Sequence, residues 1–256
     1  MAGISLALSL PANARFLLGG SDDAGLEGKL SDKSVLITCA SAGLGLETSE
    51  ALFKTGATLY LTARDLNKTR SALEEIADTP RVHLLKLELT SLASLRTCAT
   101  EFLSKTDKLN ILIANAGVIA TPEGRTQDGF ETQFGVNYLA RFLLFVFLRS
   151  ALLNAAKTTT TNSRAIFLSS IAHQYLQVNL DNIYKDGRYE NGQAVPQFKS
   201  AEQGAATSVW GAGVQIVKKW NEKEGQWVPG YFPHAYSPEE ERRLWEVSVG
   251  LVGISE

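Results

Sequence analysis

Cysteine is nearly absent from this sequence, with only Cys39 and Cys98 in 256 residues and neither in a metal-like or C-x-x-C spacing. That excludes a disulfide framework and a thiolate zinc site, and it predicts two reduced, buried thiols in a cytosolic protein. Histidine is as thin: His83, His173 and His234 are scattered and suggest no metal. Charge of one sign is lacking too. The 25 basic and 27 acidic residues leave a net charge of -2, which gives no electrostatic footprint for nucleic acid or an anionic membrane. No unbroken apolar run approaches the ~18 residues of a membrane helix, so no membrane span is expected. Leu143–Leu148 is strongly apolar but short, and Arg141 and Arg149 bracket it, as suits part of a buried helix. Ile4–Leu10 has no basic residue before it, which makes a poor secretory signal and leaves a cytoplasmic address as the default. What remains is an ordinary globular composition, 45% hydrophobic and 20% charged, long enough for one large domain with its own core.

Residues 1–30 show no periodicity and are expected to form a loosely ordered arm before a single domain over 31–256. From Ser34 the pattern changes. Val35-Leu36-Ile37-Thr38 reads as a strand buried on both faces, and Leu44–Lys54 as a helix that Gly56 ends. Thr58–Thr62 is a second strand, and Asp65 can cap a helix through Ile76. Val82–Leu87 is a third strand, and Ser91 can cap a helix through Leu103. Asn110–Ala114 is a fourth strand, Asp128–Asn154 a long helix with a break near Gly135, and Ala165–Leu168 a fifth strand. Strands alternating with helices predict parallel pairing and right-handed crossovers, hence a doubly wound, Rossmann-like α/β sheet. Ligands on such sheets sit beyond the carboxyl ends of the strands.

After Ser170 the regularity fails. Residues 174–199 are polar and carry the breakers Asp186-Gly187, Asn191-Gly192 and Pro196. So long an irregular stretch is unusual inside a compact domain, and the sheet is expected to be incomplete after the fifth strand. Helices are predicted at 201–219 and 237–251, the second with a Ser-Pro start and acids in its first turn, and a short strand at 225–229.

The chemistry-bearing residues follow strands. The first strand runs into Thr38-Cys39-Ala40-Ser41-Ala42-Gly43-Leu44-Gly45. Glycines at a strand-to-helix turn let the backbone approach a pyrophosphate, and the helix that follows offers free N–H groups to an anion. A purely structural turn uses glycines as well. Asn115-Ala116-Gly117 ends the fourth strand, Asn137 lies in the long helix, and Ser169-Ser170 closes the fifth strand. Taken singly, they read equally well as a turn former, a buried amide and a strand terminator.

In this order and in these elements they resemble the short-chain dehydrogenases/reductases. Thr121-Pro122-Glu123-Gly124 through Phe134, Glu202–Ala206 and His234–Trp245 resemble the retinol-dehydrogenase-like branch. The resemblance implies oxidoreductase chemistry between a small, apolar alcohol and its carbonyl compound. It implies cofactor contacts at Thr38, Ser41, Gly43, Leu44, Gly45, Arg64, Glu88, Asn115, Ala116 and Gly117. It makes Ser170 the serine that polarises the substrate oxygen and Asn137 the residue that kinks the long helix and supports a water. Cys39 stands where the family turn carries its first glycine. Arg64 stands at the end of the second strand, where an acid would bind the ribose 2′-hydroxyl of NAD, so NADP(H) is favoured over NAD(H).

The same resemblance exposes a gap. The family's proton donor is the tyrosine of a Tyr-x-x-x-Lys pair after the serine strand, and no such pair follows Ser170. Tyr184 and Arg188 have the spacing, but Asp186-Gly187 lies between them. Near 195–199 the text passes from Val195-Pro196-Gln197-Phe198-Lys199 to Ser200-Ala201-Glu202, as though an internal segment were deleted. Three readings stay open: a weak oxidoreductase, a cofactor-binding pseudoenzyme, and a poorly folding splice or gene-model product. The oligomeric state is left open.

Overall fold

The computed structural model describes residues 28, 30–119, 121–122, 124–158, 163–168, 218–221, 226–229 and 238–254. They fall into two compact units. One takes in the chain up to Glu88, Ala93–Ala116 and Leu144–Ile166; the other takes in Leu89–Leu92, Gly117–Leu143 and the chain from Phe167.

The first unit carries the sheet. Its strands are β1 (Ser34–Thr38), β2 (Thr58–Ala63), β3 (Val82–Lys86), β4 (Ile111–Ala114) and β5 (Arg164–Phe167), in the order β3-β2-β1-β4-β5. β1 pairs parallel with β2 and β4, and β2 parallel with β3. Val35, Leu36 and Ile37 are wholly buried, as their unbroken apolar run predicts. The expected doubly wound, Rossmann-like sheet is therefore present, with its reversal of strand order between β1 and β4. The connecting helices are α1 (Gly43–Lys54), α2 (Leu66–Leu73) and α3 (Leu92–Lys105). Asp65 caps α2 by accepting from the Lys68 N–H at 3.0 Å. α2 stops at Leu73 and a 3₁₀ turn, Glu74–Asp78, completes the helix expected through Ile76. Of the expected arm only Gly28 and Leu30 are described, and the Leu30 N–H donates to Thr55 O at 3.0 Å. Cys98 is buried as expected, whereas Cys39 is exposed. It sits on the turn beyond β1, where the chain has already left the core.

The second unit holds a helix that changes its winding. α4 (Thr132–Phe134) passes into a π-helical segment, Gly135–Leu139, and then into α5 (Ala140–Thr158), which continues into the first unit. The break expected near Gly135 is thus a π-bulge, a device that inserts one residue without ending the helix. Counting unbroken apolar runs undervalued this helix. Thr132–Thr158 is long and apolar enough, by length and composition, to cross a membrane. Leu143, Leu144, Leu148, Ala151 and Ala155 nevertheless bury a full face of it. The C-terminal helix α6 (Pro238–Val252) packs against the start of this helix. The hydroxyls of Tyr138 and Ser248 share a hydrogen bond of 2.7 Å, and Phe142 meets Trp245 edge-on at 5.0 Å. Burial pushes the Tyr138 phenol well above its ordinary range.

β7 (Gln226–Pro229) is the strand expected around Trp227, but it joins no parallel sheet. It pairs antiparallel with β6 (Lys218–Asn221), setting Trp220 opposite Trp227. Lys218 and Lys219 are therefore strand rather than the end of a helix, and 201–217 lie outside the described residues. A strand must bond its backbone somewhere, and a partner close in sequence serves when no parallel neighbour is at hand.

Candidate functional site

The end of β1 is tied to the end of β4 by side chains. The Asn115 amide donates to Thr38 O at 2.9 Å, and the Ala116 N–H donates to Thr38 Oγ1 at 2.9 Å. Thr38 is buried, so its hydroxyl needs that partner. Beyond Thr38 the chain turns through Cys39, which takes a φ of 61°, and Gly43, at 54°, opens α1. Gly45 sits one residue further on. A Cβ there would come within 2.0 Å of the Cys39 carbonyl oxygen and 2.7 Å of the Asn115 amide nitrogen, so only glycine fits. The first turn of α1 has neither a side-chain cap from Ala42 nor an acidic residue. Its N–H groups and positive dipole end are therefore not engaged by a capping side chain or offset by a carboxylate of the same turn.

Two further residues follow their strands as expected. Arg64 is exposed just past β2, and among the described residues it makes no ion pair, because the Asp65 carboxylate is engaged in capping α2. Glu88 follows β3, and its N–H donates to Ser94 Oγ at 2.9 Å.

The second unit holds Gly117 and Asn137. The Asn137 amide forms a pair of bonds with one residue, accepting from the Val118 N–H at 2.8 Å and donating to the Val118 carbonyl at 2.8 Å. The π-bulge is what brings this side chain onto the segment that follows β4. One turn further on, Arg141 donates to the Leu168 carbonyl at 2.6 Å. Its guanidinium is buried, and burial lowers its pKa to about 10, so it is still charged near neutral pH. Gly117 makes room for it, since a Cβ there would lie 2.9 Å from an Arg141 nitrogen. Ser170 lies outside the described residues, as do Tyr184 and Arg188.

The structure thus holds a glycine-bearing turn after β1, Asn-Ala-Gly after β4 and a π-bulged helix whose Asn137 is bonded to Val118. A family model described as short chain dehydrogenase matches residues 33–181. The chain belongs to the short-chain dehydrogenase/reductase family. Within it, short-chain dehydrogenase/reductase prx1 of Penicillium roqueforti is 34% identical over 299 aligned positions, which take in 89% of this chain and 87% of that protein. Retinol dehydrogenase 12 of Mus musculus is 40% identical over 199 residues, 77% of this chain and 61% of that one. The crystal structure of an uncharacterized protein from Mycobacterium paratuberculosis shares the fold, with a TM-score of 0.67 at 24% identity over 91% of this chain and 97% of that one. The prx1 alignment carries a further fact. Its 299 positions draw on 89% of a 256-residue chain, so at about seventy of them this chain has no residue.

The β1 turn, Asn115 and Asn137 lie in the elements expected of them, and the structure adds Arg141, which the sequence analysis did not single out for the site. The signal was available: a cation inside an apolar helical run, four residues after Asn137, lies on the same buried face. The family's first turn glycine is Cys39 here, and a non-glycine residue in the left-handed region carries strain of about 1–3 kcal/mol. Cys39→Gly is therefore expected to raise the melting temperature, by about 2–4 °C for each kcal/mol recovered in a chain of this size. It should also tighten cofactor binding, because the turn then reaches its bound shape without strain. Calorimetry and a titration with NADPH read both effects; unchanged values in a folded variant would count against the strain.

Proposed function

We propose that this chain binds NADP(H) at the turn from Thr38 to Gly45 and descends from an enzyme that interconverts an apolar alcohol and its carbonyl compound. The family's work is NAD(P)-dependent oxidoreduction. The observation that carries the reading is the cradle itself: an uncapped α1 N-terminus, a glycine at 45 that no side chain could replace, and the Thr38–Asn115 bond that fixes the turn. These residues fit a dinucleotide. Ser41, Gly43, Leu44 and Gly45 would meet the pyrophosphate, Glu88 would lie toward the adenine, and Asn115, Ala116 and Gly117 would line the remainder. When bound, the cofactor supplies or accepts the hydride. Asn137 would hold a water through the hydrogen-bonding capacity Val118 leaves over, and Ser170 would donate to the substrate oxygen. The reading keeps the chain in the cytoplasm, supported by its two free cysteines, and takes Thr132–Thr158 as a core helix rather than a membrane span.

The preference for NADP(H) rests on Arg64, exposed and without an ion-pair partner among the described residues. A guanidinium matches a phosphate with paired, charge-assisted hydrogen bonds. Arg64→Asp is expected to weaken NADPH by about 1–3 kcal/mol. NADH should be affected little or tightened. Dissociation constants for both nucleotides on both proteins check this, and an unmodified chain that binds NADH as well as NADPH would remove the basis for the preference.

A second reading has an observation of its own. The sequence has no Tyr-x-x-x-Lys after Ser170, and about seventy positions of the prx1 alignment are without a residue here. A chain that binds cofactor and does not turn over fits both facts. A melting curve separates it from a product that folds poorly.

A further inference from the structure

The buried face of α6 carries Leu244, Ser248 and Val252 at four-residue intervals. A hydroxyl in the middle of an apolar seam needs partners, and Ser248 has two. Its Oγ donates to the Leu244 carbonyl at 2.6 Å and lies 2.7 Å from the Tyr138 hydroxyl. A serine has one proton to give, and the carbonyl takes it. The Tyr138 phenol is therefore the donor to Ser248. Phe134 stacks on the Tyr138 ring at 5.3 Å, and Phe142, which meets Trp245 edge-on, stacks on it at 6.2 Å. Tyr138 is also the residue after Asn137, inside the π-helical segment Gly135–Leu139. Side chains one residue apart do not share a helix face. Asn137 grips both backbone groups of Val118 at 2.8 Å, while Tyr138 reaches Ser248. A π-helical turn carries one residue more than the α-helical turn it replaces, and it is rare. Here adjacent residues fasten such a turn to two different segments of the chain.

We propose that Ser248 and Tyr138 are positioning residues for Asn137: their bond holds the π-helical turn in the register that keeps the Asn137 amide on Val118. Without that bond the turn sheds its extra residue into the regular helix beside it, which rotates Asn137 away from Val118. The C-terminal helix thereby sets a residue of the site through one phenol. This role deepens the oxidoreductase reading and rests on it, since Asn137 there supports the reaction's water.

The test uses the full chain and amide hydrogen exchange resolved by residue. The Val118 N–H, which donates to Asn137, reports the grip, and the Ile37 N–H of β1 reports general stability. Asn137→Ala marks the exchange of Val118 with the grip lost. Ser248→Ala strands the Tyr138 donor in the core and is expected to speed exchange at Val118 by about tenfold or more relative to Ile37. Tyr138→Phe removes the same bond but orphans no donor, so a smaller rise in the same ratio is expected. It decides the matter if Ser248→Ala does not fold. The double variant should match Tyr138→Phe. A ratio of Val118 to Ile37 exchange that stays unchanged, or acceleration of both amides in proportion, would make the bond merely structural and overturn the proposal. The unmodified chain is also titrated with NADPH. No binding there, with the response of Val118 intact, would sink the cofactor reading and leave the positioning of Asn137 standing.

Discussion

Turnover by this chain is expected to stay near background with NADP(H) on panels of alcohols and aldehydes. Inserting a family segment that carries Tyr-x-x-x-Lys between Ala194 and Lys199 should raise it by orders of magnitude. Reducing a carbonyl by hydride transfer builds negative charge on its oxygen, and a proton must arrive there. A serine can donate a hydrogen bond to that oxygen but does not give up its proton at neutral pH. An unperturbed tyrosine titrates near 10, so it serves as acid and base near pH 7 only beside a cation. No tyrosine after Ser170 has a lysine four residues on. Positioned acid–base catalysis is worth about 10²–10⁴-fold, or roughly 3–5 kcal/mol of barrier. The contacts that hold the reacting ring of the cofactor add to this, because near-attack geometry depends on them. Initial rates by NADPH absorbance decide the matter. Brisk oxidation by the unmodified chain that disappears in Tyr184→Phe would show that Tyr184 and Arg188 form a working pair.

Gly45→Ala should have the other large effect. The added methyl would overlap the Cys39 carbonyl oxygen and crowd the Asn115 amide, and the nearer atom is backbone rather than the movable end of a side chain. Either the turn shifts or α1 does. Overpacking of this kind costs about 1–3 kcal/mol, and a displaced turn no longer presents its N–H groups to a pyrophosphate. NADPH affinity should fall below detection and the melting temperature should drop. Gly43→Ala is the informative contrast. A Cβ there meets nothing within 4 Å, so only the strain of its positive φ is added. A Gly45→Ala protein with unchanged affinity and melting temperature would mean that the turn is not the cofactor site.

The sheet was legible because β1, β2, β3 and β4 are short apolar runs bounded by glycine, proline or capping residues, and local signals of that sort need no knowledge of partners. The site was legible where one residue does one local job: Gly45 at a close approach, Asn115 at a strand end, Asn137 in a helix that the break at Gly135 had already marked. What escaped depends on distant partners. Arg141 read as the boundary of an apolar run because the carbonyl it serves, Leu168, lies 27 residues away. Cys39 read as a buried thiol because composition says nothing about a turn leaving the core. The Trp227 strand was foreseen, but its partner was not, since pairing is decided by which edges remain free once everything else is placed.

The bond between Tyr138 and Ser248 bears on the polymer physics of the missing segment. It fastens the last helix to one that begins more than a hundred residues earlier, and the two hydroxyls close a span of 110 residues of chain. The alignment positions this chain leaves vacant number about seventy. Inserting that many residues within the span would lengthen it by less than a doubling. Loop-closure entropy grows only with the logarithm of length, and even a doubling costs about 0.6 kcal/mol. The two lengths of chain are therefore nearly equivalent to the anchors, and the joint that holds the C-terminus in place would tolerate either.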